Sequence, residues 1–259
     1  MKKIIVSIIG LSVLLLTSCI GYYKADGPIE TRDYALSDFE GVELDGSGDV
    51  FIYYGETFSV EVTTHSDLYD LLNNYVVDGV LHLGFKNEFR TISYDKLQYK
   101  ITLPELHYVS IDGSGNIDVM DNFSMNNDFA MSIDGSGDIM TLKIAADRVF
   151  ADLNGSGSIT TTDIDCQIFD ASLDGSGKIR SQGYARKQII NLDGSGDIIT
   201  DYLETLESYV DINGSGTCKV WATDILNIRI DGSGKVYYYG EPEVTSRITG
   251  SGDIVHLYD

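Results

Sequence analysis

A Gly-Ser-Gly triplet preceded by Asp, Asn or Thr occurs nine times in this chain. The copies start at Asp45, Asp112, Asp134, Asn154, Asp174, Asp193, Asn213, Asp231 and Thr249. From the second copy onward the spacings are 22, 20, 20, 19, 20, 18 and 18 residues. A fixed period near 20 marks a repeat architecture, in which one unit cannot bury its apolar side alone and must stack on the next.

The residues around the triplet say what kind of unit repeats. The position before the Asx residue is Leu or Ile in every copy, from Leu44 and Ile111 to Ile248. Two residues after the second glycine stand Val50, Ile117, Ile139, Ile159, Ile179, Ile198, Cys218, Val236 and Ile254. Aliphatic, mostly β-branched residues alternate there with polar ones, which is the period of a strand and not of a helix. Stacked, these positions form continuous aliphatic columns inside a parallel β-solenoid. Eight coils of about 20 residues, spaced about 4.8 Å apart, give a rod roughly 38 Å long. A sharp corner between strands calls for the positive φ that glycine adopts freely.

The Asx column admits two readings. It could cap the corner by accepting hydrogen bonds from the amides that follow, or it could form a calcium ladder. The variation favours capping. Asn154, Asn213 and Thr249 keep an acceptor but lose the carboxylate, and Lys178 and Lys235 stand just after the triplet, where they would repel a metal. The period also differs from the nine-residue calcium repeat. No metal or other cofactor is expected.

The first 18 residues read as a targeting segment. Lys2 and Lys3 precede an apolar stretch from Ile4 to Leu16, and Leu16-Thr17-Ser18-Cys19 follows. This resembles a bacterial lipoprotein signal, in which Cys19 becomes the lipid-bearing first residue. The segment is too short and wrongly flanked for a membrane span, so it is set apart from the fold. The resemblance implies a soluble body held to a membrane by lipid. Ile20, rather than Asp, after Cys19 resembles the pattern sorted to the outer membrane. Whether the body would face the periplasm or the outside stays open.

The chain carries a net charge of −22, and removing residues 1–18 takes away two lysines and no acid, leaving −24. That balance disfavours nucleic acid as a partner and gives no electrostatic attraction to anionic membrane surfaces. Cys218 sits in an aliphatic column and reads as a small buried hydrophobe. Cys166 lies in another phase about three coils away, roughly 14 Å, which is beyond disulfide reach. Two free thiols are expected. His65, His82, His107 and His256 are scattered along the sequence.

Residues 19–35 read as a tether, 36–105 as a strand-rich subdomain and 106–259 as the solenoid. The 67 residues between the first two triplets hold an insertion. Within it, Phe58–Val62 alternates as a strand, and Ser66 is placed to cap a short helix carrying Leu68, Leu71 and Leu72 on one face. Tyr75–Leu83 reads as a hairpin around Asp78-Gly79, and Leu97–Leu103 as a strand closed by Pro104.

These pieces, in this order, resemble the head GIN domain family of auto-transporter adhesins. The matching segments are Gly41-Val42-Glu43-Leu44 with Gly48-Asp49-Val50, Val60-Glu61-Val62, Leu68-Tyr69-Asp70-Leu71 and Asp78-Gly79-Val80-Leu81. Ile101-Thr102-Leu103-Pro104-Glu105-Leu106 and the Gly-Ser-Gly ladder complete them. The resemblance spans about residues 36–259. It implies a right-handed β-solenoid in an envelope protein and brings no catalytic residues.

Binding or adhesion is the leading functional reading. Tyr202, Tyr209, Trp221, Tyr237, Tyr238 and Tyr239 gather towards the C-terminal coils, where rings could stack on a glycan or protein ligand. The competing reading has them cover the solenoid flank or its open end. A structural or regulatory envelope role without an external ligand stands beside adhesion. An enzyme acting on polysaccharides is the weakest reading, because no break in the repeat gathers Asp, Arg, Lys and His into one cleft.

Overall fold

The computed structural model describes residues 22–86 and 91–258. Cys19 and the targeting segment lie outside the described residues. The chain is a parallel β-solenoid, built on one 19-stranded sheet that winds through every coil.

The Gly-Ser-Gly columns set the register. Gly41–Gly46 pairs parallel with Tyr108–Gly113, which pairs with Phe129–Gly135, so that Asp45, Asp112 and Asp134 stand one above another. The alignment continues through Asn154, Asp174, Asp193, Asn213, Asp231 and Thr249. From Asp138 on, most coils are a single extended run, such as Asp138–Gly155 and Ser158–Gly175. Burial alternates along each run but slips phase twice. In the Asp138–Gly155 run the inward residues are Ile139 and Thr141, then Ile144 and Ala146, then Val149, Ala151 and Leu153. Each slip is a bend that keeps the same side of the chain inward, so a coil has three short sides closed by the Gly-Ser-Gly corner.

The corner depends on the glycines for space as well as for φ. Gly194 has φ +121°, and a Cβ there would collide with the carbonyl oxygen of Gly175 in the preceding coil. A Cβ on Gly196 would come within 2.6 Å of Leu173 Cδ2. The corner amides are paired between coils: Ser195 N donates to Gly175 O at 2.9 Å and Asp197 N to Gly177 O at 3.1 Å. The expected capping role for the Asx side chains is therefore not realised. The amides they would cap are already taken by backbone carbonyls, and the Asx side chains stand in solvent. Four positions further on, side chains of the next column are partnered between coils: Asn116 Nδ2 donates to Asp49 at 2.9 Å, Ser158 Oγ to Asp138 at 2.6 Å, and Lys178 Nζ lies 3.1 Å from Asp197.

The inserted subdomain closes the start of the stack. Val80–Leu83 and Leu97–Leu103 pair parallel with Gly41–Gly46 and Asp49–Tyr54, forming the layer beneath the first coil. Ser59–His65 runs antiparallel between Leu97–Leu103 and Ile29–Tyr34. Tyr75–Val77 and Val80–Leu83 make the expected hairpin, with Asp78 and Gly79 at positive φ. Two local expectations need correction. The helix after Ser66 is a single 3-10 turn over Tyr69–Leu71 with no side-chain cap, because its N-cap position falls on Leu68, which carries no polar side chain. The tether is docked over much of its length: Tyr22–Lys24 pairs with Thr91–Ser93, and Ile29–Tyr34 joins the sheet. At the opposite end the stack stops at Glu243–Gly250 and Asp253–His256, which are paired on one side only.

Leu44, Ile111, Ile133, Leu153, Leu173, Leu192, Ile212 and Ile230 are all buried, whereas Ile248 on the last coil is 42% exposed. One inward column departs from the aliphatic pattern. Thr141, Thr161, Ser181 and Thr200 follow Val119 and precede Val220, and all four are buried. Thr200 Oγ1 donates to Gln188 Oε1 at 2.9 Å, but the hydroxyls of Thr141, Thr161 and Ser181 bond to no protein group. Cys166 and Cys218 are buried free thiols in different columns. Burial, with Asp165 adding to it, pushes the Cys166 thiol up to about 12. Burial raises that of Cys218 as well.

Candidate functional site

Only part of the aromatic group reaches one surface. Trp221 and Tyr239 are register neighbours on adjacent coils, and Tyr237 stands over Lys219 on the same outward face. All three are half-buried. Tyr202 is 69% exposed and sits beside a register slip between Thr200 and Glu204. Tyr238 points the other way. Its ring stacks on His256 at 4.5 Å and 2°, His256 packs on Tyr258, and Tyr238 lies against the core. That stack covers the apolar columns where the solenoid ends, so Tyr238 serves the end cap. Its inward phase follows from Val220, its buried neighbour in the coil below.

Tyr209 belongs to a different face. Ile189, Tyr209, Asn227 and Thr245 form one outward column over four coils. Beside it run Asn191, Asp211, Arg229 and Arg247. Between the two columns lies an open groove of about 360 Å³. Ile189 and the Tyr209 ring make its apolar part. Lys187 Nζ lies 4.3 Å from the Tyr209 ring centre, the Tyr209 hydroxyl donates to Glu207 at 3.2 Å, and Arg229 lies 3.5 Å from Asp211. Burial first, and then the Glu207 carboxylate, raise the Tyr209 phenol above its ordinary value, so the ring stays neutral. Arg229 and Arg247 bring two guanidinium groups together on a chain with 40 acidic and 18 basic residues. The groove therefore combines an apolar patch with two guanidinium donors for an acidic group.

Sequence reading singled out Tyr209 but not its neighbours. The signal was present: residues 189, 209, 227 and 245 are separated by 20, 18 and 18, the local repeat spacings. A second concavity of about 380 Å³ lies where the insertion meets the ladder, between Tyr54, Pro104–His107 and Asn122–Asn127.

A family model described as "Putative auto-transporter adhesin, head GIN domain" matches residues 38–242. The chain belongs to the head GIN domain family. The family's description as an adhesin associates it with the cell envelope or surface. Solved structures share the fold over nearly the whole chain. A "putative lipid binding protein" from Parabacteroides distasonis is 27% identical, covers 92% of this chain and 100% of its own, and superposes with a TM-score of 0.87. A "putative adhesin" from the same organism is 23% identical, with the same coverages and a TM-score of 0.82. A "putative adhesin" from Parabacteroides merdae is 21% identical over 91% of this chain and 99% of its own, with a TM-score of 0.79. No curated protein matches the chain. Among the described residues, no helix is long and apolar enough to cross a membrane.

Proposed function

We propose that this head GIN domain protein is a non-enzymatic binding module of the cell envelope, held to the outer membrane by lipid on Cys19. The family match and the groove between Tyr209 and Arg247 carry this reading. A ligand suited to the groove has a flat apolar face and an acidic group, as in an acidic glycan or an acidic, aromatic protein segment. Tyr209 would stack on the apolar face and Arg229 and Arg247 would hold the acid. Nucleic acid is disfavoured by the charge of −22.

The anchor gives the module a direction. Cys19 is three residues from Tyr22, where strand pairing begins. Three extended residues span about 10 Å, so the insertion would lie close to the membrane. The groove is built from the coils furthest from the insertion and would face outward.

The relative named for lipid binding motivates a second reading, in which the ligand is an amphiphile with an anionic head. The same groove chemistry suits it, with the acyl part along Ile189 and the head at the guanidinium groups. Protease shaving of intact cells, with and without outer-membrane permeabilisation, tests the location. Loss from intact cells supports surface adhesion, and protection until permeabilisation rules it out. Screening the mature protein against acidic glycans and anionic lipid vesicles, with Tyr209→Ala and Arg247→Ala in parallel, separates the two ligand classes.

A further inference from the structure

Glu40, Glu105 and His107 each offer a ligand atom, and these three atoms all lie within 4.8 Å of one another. Among the described residues, no other set of three His, Cys, Asp or Glu side chains comes so close. We propose that these residues form a binding site for a divalent transition metal of the zinc class, at the junction between the insertion and the solenoid.

The site is assembled by the coil register. Glu40 precedes Asp45 by five residues, and His107 precedes Asp112 by five. Asp45 and Asp112 are register partners, so Glu40 and His107 meet on adjacent coils, and His107 N donates to Glu40 O at 2.7 Å. Glu40 is held from the other side as well, its amide donating to Gly79 O at 2.9 Å. Glu105 follows Pro104, whose ring fixes the local φ.

The histidine is prepared as a ligand. His107 Nδ1 lies 3.3 Å from the carbonyl oxygen of Asp128. A carbonyl only accepts, so Nδ1 is the nitrogen that donates there, and Nε2 is the nitrogen turned toward the Glu105 carboxylate. A backbone carbonyl orienting the remote nitrogen is the usual support for a metal-bound imidazole. Nε2 stands 3.7 Å from Glu105 Oε2. Two ligands of a tetrahedral ion bound at about 2.1 Å are roughly 3.4 Å apart, so the pair needs little movement to share one. Glu40 and Glu105 are exposed and free to adjust, and neither is ion-paired to a lysine or arginine among the described residues. One imidazole and two carboxylates suit zinc or a neighbouring first-row ion better than calcium, which takes oxygen ligands alone. Three protein ligands leave a coordination position open to water or to an incoming donor. Glu105 lines the concavities on both sides of the site, of about 360 and 380 Å³, so that position faces accessible space.

Titration calorimetry of the mature protein with zinc chloride tests the proposal. One zinc per chain is expected, with affinity falling about tenfold or more in His107→Ala and in Glu40→Gln. Zinc should raise the melting temperature of the parent by more than it raises that of either variant. His256→Ala, which alters the histidine beside Glu241 at the far end, should bind like the parent. Glu40→Gln changes an exposed side chain, and its melt without metal shows whether the fold is intact. Absence of stoichiometric binding by the parent, or undiminished binding by a folded Glu40→Gln and by His107→Ala, overturns the site.

Discussion

Ser195 N donates to the carbonyl oxygen of Gly175, one coil back, at 2.9 Å. That oxygen is also where a Cβ on Gly194 would fall. Space and backbone pairing at the corner therefore compete for one point. Gly194→Val should cost well over 2 kcal/mol, roughly, since steric overlap adds to the strain of a positive φ. Gly46 offers the control. Its φ is +117°, but no atom lies within 4 Å of its Cβ position. Gly46→Ala should therefore cost only the strain, about 1–3 kcal/mol. Urea unfolding of the two variants compares them, and equal losses would contradict the overlap argument.

The threonine column separates a hydroxyl that bonds from one that does not. Thr161 is buried and its hydroxyl meets no protein partner. Thr161→Val keeps the shape and removes a poorly satisfied polar group, so stability should rise by about 1 kcal/mol. Thr200→Val should lower it by about 1–2 kcal/mol, because the buried Gln188 Oε1 loses its donor. Opposite signs from chemically identical substitutions are the result to look for in denaturant midpoints.

His65 gives the insertion a pH dependence. It is 7% exposed, with Nδ1 2.7 Å from Gly27 O and Nε2 bonded to Asp95. The Gly27 carbonyl first, and the Asp95 carboxylate next, raise its pKa above the ordinary 6.5. A raised pKa means that the folded state holds the proton more tightly than the unfolded chain. The stabilisation is complete below about pH 6.5 and is lost as pH rises through the folded value. The stability gap between the parent and His65→Gln should therefore be wider at pH 6 than at pH 9. A gap independent of pH would show that the imidazole is not charged in the fold.

Cys166 and Cys218 should resist alkylation in the native protein and react on unfolding. Both are buried, and burial suppresses the thiolate that does the chemistry. Mass spectrometry after iodoacetamide, with and without urea, reads this directly. Rapid native labelling of Cys218 would mean that its column opens.

Much of this fold was legible because one tripeptide marks every coil. The columns through Leu44 and Val50 followed from counting, and so did the separation of Cys166 from Cys218. What escaped lay off the repeat. The 3-10 turn at Tyr69 defeated a helical reading because Leu68, Leu71 and Leu72 have helical spacing but too few residues to propagate a helix. The docking of Ile29–Tyr34 was hidden because its partner, Ser59–His65, offers an antiparallel edge that no repeat announces. The sites were less legible than the fold. Tyr238 and Tyr239 are adjacent in sequence but lie on opposite sides of the wall, and alternation along the strand decides which one meets solvent. Ile189, Tyr209 and Thr245 meet only once the unequal coil lengths are added together.

The in-register corners also bear on the length of the rod. Gly157 and Gly177 are equivalent points one coil apart, and removing residues 158–177 would join Gly157 to Lys178 without moving any later residue out of its column. Deleting or duplicating such a segment would remove or add a whole storey of the rod. The products would keep the inserted base and the C-terminal cap and differ in height alone. The length of the rod can therefore change by whole coils while its two ends remain unchanged.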